Sequence, residues 1–116
     1  MGNPIVHFEV LGNDGAAMRK FYGDLFDWEI SRVEGIDYGI VSTGSDPAGG
    51  IGADPNGQGG HVTFYVQVDD LEAALEQAKS LGGSTALEPM EIPGGGRIAL
   101  FADPEGHIVG LVSGGE

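Results

Sequence analysis

From His61 to Val68 apolar and polar residues alternate: Val62, Phe64, Val66 and Val68 fall on one side, and His61, Thr63, Tyr65 and Gln67 on the other. Period-two alternation predicts a strand with one apolar face packed and one polar face open. Asp69 follows as the expected N-cap of a helix, with Glu72 three residues on in the capping-box arrangement. Leu71, Ala74, Leu75, Ala78 and Leu81 then recur at helical spacing, and Gly82-Gly83 supplies the stop. The strand's apolar face and the helix's stripe are expected to pack together, which leaves His61 on the opposite face.

The same pattern runs through the start of the chain. Residues 4–11 read as a strand with Val6, Phe8 and Val10 on one face and His7 and Glu9 on the other. Asn13 or Asp14 caps a helix carrying Met18, Phe21, Tyr22 and Leu25, which ends near Phe26 or Asp27. Residues 28–33 and 37–41 read as strands joined around Gly35, residues 42–50 as a loop and 50–53 as a short strand. Residues 54–60 form a linker. After the second helix come a strand at 85–92, a loop at 93–96 and an alternating strand at 97–102. In that strand Ile98, Leu100 and Ala102 oppose Arg97, Ala99 and Phe101. Asp103-Pro104-Glu105-Gly106 has the residues of a tight turn, and 107–112 closes the chain as a strand.

The order is strand, helix, three strands, twice over, with His7 and His61 at matching points about 54 residues apart. The predicted class is α+β: two βαβββ modules, 4–53 and 61–113, within a single domain 1–116. A lone module leaves a sheet uncovered, so the modules must pair within one chain or between two.

Composition narrows the function. With 41% hydrophobic residues the chain is globular, and it holds no run of membrane-spanning length and no basic-then-apolar leader, so a cytoplasmic protein is expected. The absence of cysteine excludes disulfides, thiol nucleophiles and thiolate metal sites. A net charge of −13 disfavours nucleic acid and anionic membrane as partners. Of the five cations only Arg97 lies in the later strands, as a candidate anion partner or as the mate of a surface carboxylate. The glycine-rich runs at 49–52 and 57–60 lack the Lys-Ser/Thr and strand–helix context of a phosphate loop.

His7 in the first strand, FYGDLFDWEI at 21–30, VDDLEAALEQAKSLGG at 68–83 and FADPEGHIVGL at 101–111 together resemble the vicinal oxygen chelate superfamily, the glyoxalase, bleomycin-resistance and extradiol-dioxygenase group. The resemblance implies mixed curved sheets forming a cup with helices outside, in which a divalent metal (Zn, Ni, Fe, Mn or Co) chelates two oxygens of a substrate. It places His7 and His61 at the first-strand ligand positions. The glutamate ligand of the last strand falls on Gly110, with its first-module counterpart near Gly52, so the implied metal site lacks its carboxylates.

Two imidazoles are fewer protein ligands than a catalytic site uses, and structural histidines are the other reading of His7 and His61. Glu9, Thr63, Tyr65, Gln67, Arg97 and Phe101 are candidate cavity-lining residues, with Glu9, Tyr65 and Arg97 as catalytic candidates and His107 facing solvent. The expected function is a small-molecule-binding member with a degenerate metal site, acting as a homodimer. A metal-dependent lyase, isomerase or dioxygenase is the alternative, and sequestration of a cationic antibiotic a further one.

Overall fold

The computed structural model describes residues 2–54, 57, 59–92 and 95–114. Pro55, Asn56 and Gln58 of the expected linker, and Pro93 and Gly94 of the expected loop, lie outside the described residues. The elements are β1 (Ile5–Gly12), α1 (Gly15–Phe26), β2 (Glu29–Arg32), β3 (Tyr38–Ser42), β4 (Ala48–Ala53), β5 (His61–Gln67), α2 (Leu71–Ser80), β6 (Ser84–Glu91), β7 (Arg97–Ala102) and β8 (Ile108–Ser113). The class is α+β and the βαβββ order occurs twice, as the alternation predicts. The fourth strand begins at Ala48, inside the stretch expected to be a loop, because residues 48–53 pair with β1 in parallel and residues 49–52 with β3 antiparallel.

The chain forms two compact units, Val6–Thr63 and a second made of Met1–Ile5 with Phe64–Glu116. The division falls inside β5 and not in the glycine-rich stretch before it. The start of β5 stays with the first unit because His61 bonds Glu9 and because Gly60 packs directly on the Leu11 carbonyl. Gly60 has φ +81°, a conformation that glycine adopts without strain.

In the first unit the strand order is β2-β3-β4-β1. Helix α1 is capped by Asp14, whose carboxylate accepts from the Ala17 N–H at 3.0 Å, and it ends on Asp27 in the left-handed conformation. Met18 and Tyr22 pack with Phe8, Trp28 and Ile30 around buried Val10, Val41 and Ile51. Tyr22 stacks on Trp28 with ring centroids 6.1 Å apart. The rest of the expected stripe, Phe21 and Leu25, is exposed, since Met18 and Tyr22 already fill the space over the sheet.

In the second unit the order is β5-β8-β7-β6. Leu71 and Leu75 of α2 pack on Ala99 and Leu111, with Val66, Val68 and Phe101 around them. The cap of α2 is Asp70 and not Asp69: the Asp70 carboxylate accepts from the Ala73 N–H at 3.0 Å. Since the helix starts one residue later than expected, no capping box forms and Glu72 turns to Arg97 instead. Gly82 at φ +104° and the Gly83 N–H to Ala78 carbonyl bond close the helix as predicted. Strand β6 carries Pro89, which has no N–H to give, and its register with β7 shifts between Leu87 and Met90.

The faces of β5 depart from expectation. Thr63 and Tyr65, assigned to the open polar face, are each only 7% exposed, whereas Val62 is 76% and Phe64 39% exposed. Alternation states which side chains share a face but not which face is covered, and only the Val66–Val68 end joins the α2 core.

Candidate functional site

The first unit carries a chain of hydrogen bonds made by side chains from three strands. In β1, His7 and Glu9 are two residues apart and share a face, while Phe8 and Val10 point to the core. The His7 Nε2 lies 3.0 Å from the Tyr38 hydroxyl, and that hydroxyl donates to Glu9 Oε2 at 3.0 Å. The other carboxylate oxygen, Oε1, lies 3.0 Å from His61 Nε2 at the start of β5. Thus His7, Tyr38, Glu9 and His61 form one continuous path.

Tyr38 reaches this path from β3 because β4 offers no side chains in between. Gly50 is the register partner of Glu9, and Gly52 is that of Leu11 and of Tyr38 itself. A Cβ on Gly50 would overlap the Tyr38 phenol, and one on Gly52 would lie 2.7 Å from Tyr38 Cδ1. Neighbouring strands lie about 4.8 Å apart, so the ring must cross a whole strand to meet Glu9, and two glycines make the floor of its track. On the opposite face Phe8 lies over Gly49 in the same way.

Proton positions follow from donor and acceptor capacity. An ionised carboxylate only accepts, so Tyr38 O–H and His61 Nε2–H both donate to Glu9. With its proton given to Glu9, the Tyr38 oxygen accepts from His7 Nε2–H. Both rings therefore carry hydrogen on Nε2. Glu9 is buried, at 8% exposure, and burial holds the His7 imidazole below its usual pKa by disfavouring the cation, against the attraction of the Glu9 charge.

The metal expected from the resemblance does not fit this arrangement. Each Nε2 that would ligate is committed to a hydrogen bond, and the two carboxylate positions are Gly110 and Gly52. The strand register supports that equivalence: Leu11 pairs with Gly52 in the first unit as Tyr65 pairs with Gly110 in the second. Tyr65 lies over Gly110 and fills the space that a side chain there would take. Among the described residues no three His, Asp or Glu side chains are placed to hold an ion together.

The remaining candidates are dispersed. Thr63 is buried in the first unit, and Gln67, in the second, gives its backbone N–H to the Pro4 carbonyl. Arg97 and Phe101 stand on the α2 side of β7 with Ala99, on the face that Val66 and Leu111 share, and not beside Tyr65 and Gly110. There Arg97 Nη2 meets Glu72 Oε2 at 2.6 Å, each holding the other in its charged form, so the surface-carboxylate alternative is the one observed. A groove of about 560 Å³ beside Arg97 is lined by Glu91, Ile92, Gly96 and Ser113. His107 is exposed and pairs with Asp103, whose carboxylate also accepts from the Glu105 and His107 N–H groups.

Two residues escaped the sequence reading. Tyr38 carries no signal of its own in the sequence, and GGIG at 49–52 marks only a strand that another group can approach closely. Arg19 is the cation with a largely buried side chain, 12% exposed, and it bonds Asp37 at 2.8 Å and the Ile51 carbonyl.

The description Glyoxalase/Bleomycin resistance protein/Dioxygenase superfamily matches residues 4–111. The chain belongs to this superfamily, the vicinal oxygen chelate group. It is 30% identical to the anthracycline biosynthesis protein DnrV of Streptomyces peucetius, over 85% of this chain and 42% of that one. It is 32% identical to the fosfomycin resistance protein FosX of Listeria innocua, over 47% of this chain and 41% of that one. The chain thus spans less than half the length of these curated relatives. The methylmalonyl-CoA epimerase of Mycobacterium tuberculosis shares its fold with a TM-score of 0.69 at 18% identity, over 94% of this chain and 86% of that one. Among the described residues no helix is long and apolar enough to cross a membrane.

Proposed function

We propose that this vicinal oxygen chelate protein binds a small molecule at the face carrying His7, Glu9, Tyr38 and His61, and that it does so without a resident metal. The observation that carries this reading is the engagement of both imidazole Nε2 atoms by Tyr38 and Glu9. A lyase, isomerase or dioxygenase of the metal-dependent kind would require both histidines to abandon those bonds and a carboxylate to come from outside the Gly52 and Gly110 positions. Ligand classes worth testing come from the names of relatives: an anthracycline, fosfomycin and a CoA ester.

Metal analysis of protein purified without a histidine tag tests the reading. Substoichiometric metal and a melting temperature unmoved by EDTA are expected. Stoichiometric metal that disappears in His61→Ala would sink it.

A second reading, sequestration of a cationic antibiotic, is favoured by the net charge of −13. It predicts binding that weakens steeply with added salt. We propose a homodimer as the working assembly, since Val62 and other apolar side chains stand exposed. Sedimentation at micromolar concentration checks it, and a monomer would refute it.

A further inference from the structure

The bonds that disfavour a metal also give His61 a defined hydrogen-bonding character. Its Nε2–H is spent on Glu9 Oε1 at 3.0 Å. In the neutral ring the other nitrogen, Nδ1, is then a lone-pair acceptor. Nδ1 has no protein partner among the described residues, and the side chain is 25% exposed, so a ligand can reach the ring. Glu9 cannot let go easily: it is buried, and its second oxygen is held by the Tyr38 hydroxyl.

We propose that His61 Nδ1 is the acceptor of a hydroxyl-recognition subsite for neutral phenol-type ligands, with Glu9 as the residue that sets this specificity by fixing the tautomer. This rests on the metal-free reading above. The ligand class follows from three facts. An acceptor selects a donor, which favours O–H over an ether or ketone. A neutral imidazole is a good acceptor and gains most from a strong neutral donor, which favours a phenol or enol over an alcohol. A carboxylate or phosphate ligand would bring negative charge beside buried Glu9 in a chain already at −13.

The variant that separates this from a merely structural role is Glu9→Gln. Where the Tyr38 hydroxyl keeps donating, it holds the glutamine carbonyl and leaves the amide N–H₂ facing His61, and the histidine spectra report whether it does. His61 then has to accept at Nε2, its proton moves to Nδ1, and the subsite turns from acceptor to donor. Glu72→Gln, which alters a surface pair outside this site, leaves the Glu9–His61 bond in place and should keep the original preference.

The probes are 2-naphthol and its methyl ether, titrated by fluorescence in mildly alkaline buffer, with histidine ¹⁵N spectra of the same samples. For wild type we expect naphthol to bind about tenfold tighter than the ether, the worth of about one hydrogen bond, and His61 to carry its proton on Nε2. In Glu9→Gln the preference should vanish or invert and the proton appear on Nδ1. Equal binding of the two probes by wild type, a proton on wild-type His61 Nδ1, or a Glu9→Gln preference that does not follow the tautomer its spectrum shows would overturn the proposal. So would the absence of saturable binding by either probe. If Glu9→Gln does not fold, the wild-type spectra and the wild-type titration of the two probes decide it. Metal-dependent binding would instead refute the reading beneath, whereas metal-free protein that ignores the hydroxyl refutes this inference alone.

Discussion

The phenol of Tyr38 lies across Gly50, in space that any other residue at position 50 would fill with its own Cβ. Gly50 in turn pairs with Glu9 in the parallel ladder, so this one contact decides whether Tyr38 reaches the carboxylate. Gly50→Ala is therefore expected to destabilise the protein by about 1–3 kcal/mol through overpacking. Urea denaturation checks this. The penalty should shrink when Tyr38 is also replaced by alanine, and an unchanged penalty in that background would mean the clash lies elsewhere.

Tyr38→Phe keeps the ring over its glycine floor and removes one oxygen. Glu9 Oε2 then loses this donor and His7 Nε2 this acceptor in a largely buried setting. A loss of about 1–3 kcal/mol is expected, because a buried group whose partner is deleted keeps its desolvation cost. Equilibrium unfolding measures it. A neutral substitution would show that water replaces the hydroxyl freely.

Much of this arrangement is legible in the sequence. His7, Glu9 and His61 were singled out by alternation and by the repeat, and the three do meet through one hydrogen-bonded path. The glycine-rich run at 49–52 reads as no phosphate loop, and 50–53 as a short strand. The missing term was Tyr38, since nothing in a linear pattern says which ring, two strands away from the group it bonds, will lie across the glycine between them. Arg97 and Phe101 were placed on the wrong side of β7 for a related reason. In Arg97-Ile98-Ala99-Leu100-Phe101-Ala102 both faces are largely apolar, and the small residue, Ala99, marks the close approach of Leu71 and Leu75. The larger Ile98 and Leu100 suggested the opposite assignment. The cap of α2 was misread by one residue because Asp69 and Asp70 are chemically identical candidates.

That last point is testable by substitution. Asp70→Ala should cost about 1 kcal/mol, the usual worth of an N-cap side chain, since its carboxylate serves the Ala73 N–H. Asp69→Ala should leave stability nearly unchanged. Thermal melts of the pair separate the two assignments, and equal losses would contradict an Asp70 cap.

The lowered pKa of His7 gives stability a pH dependence whose sign is fixed. Burial disfavours the imidazolium, so the folded form takes up its proton at a lower pH than the unfolded chain does. Above the unfolded value of about 6.5 both forms are neutral and His7 contributes no slope. As pH falls through that value the unfolded chain binds a proton that folded His7 still refuses, and stability drops. The drop ends only where the folded form is protonated too. For one group the slope cannot exceed about 1.4 kcal/mol per pH unit. The check is urea denaturation at pH 7.5 and at successive steps down to 5, in wild type and in His7→Asn. Other groups act in both proteins and cancel, so the difference between the two curves should fall with acidification from about pH 6.5 downwards. A difference that stays flat would show that folding leaves the His7 pKa unshifted, and one that rises as acid is added would show that the Glu9 charge outweighs burial.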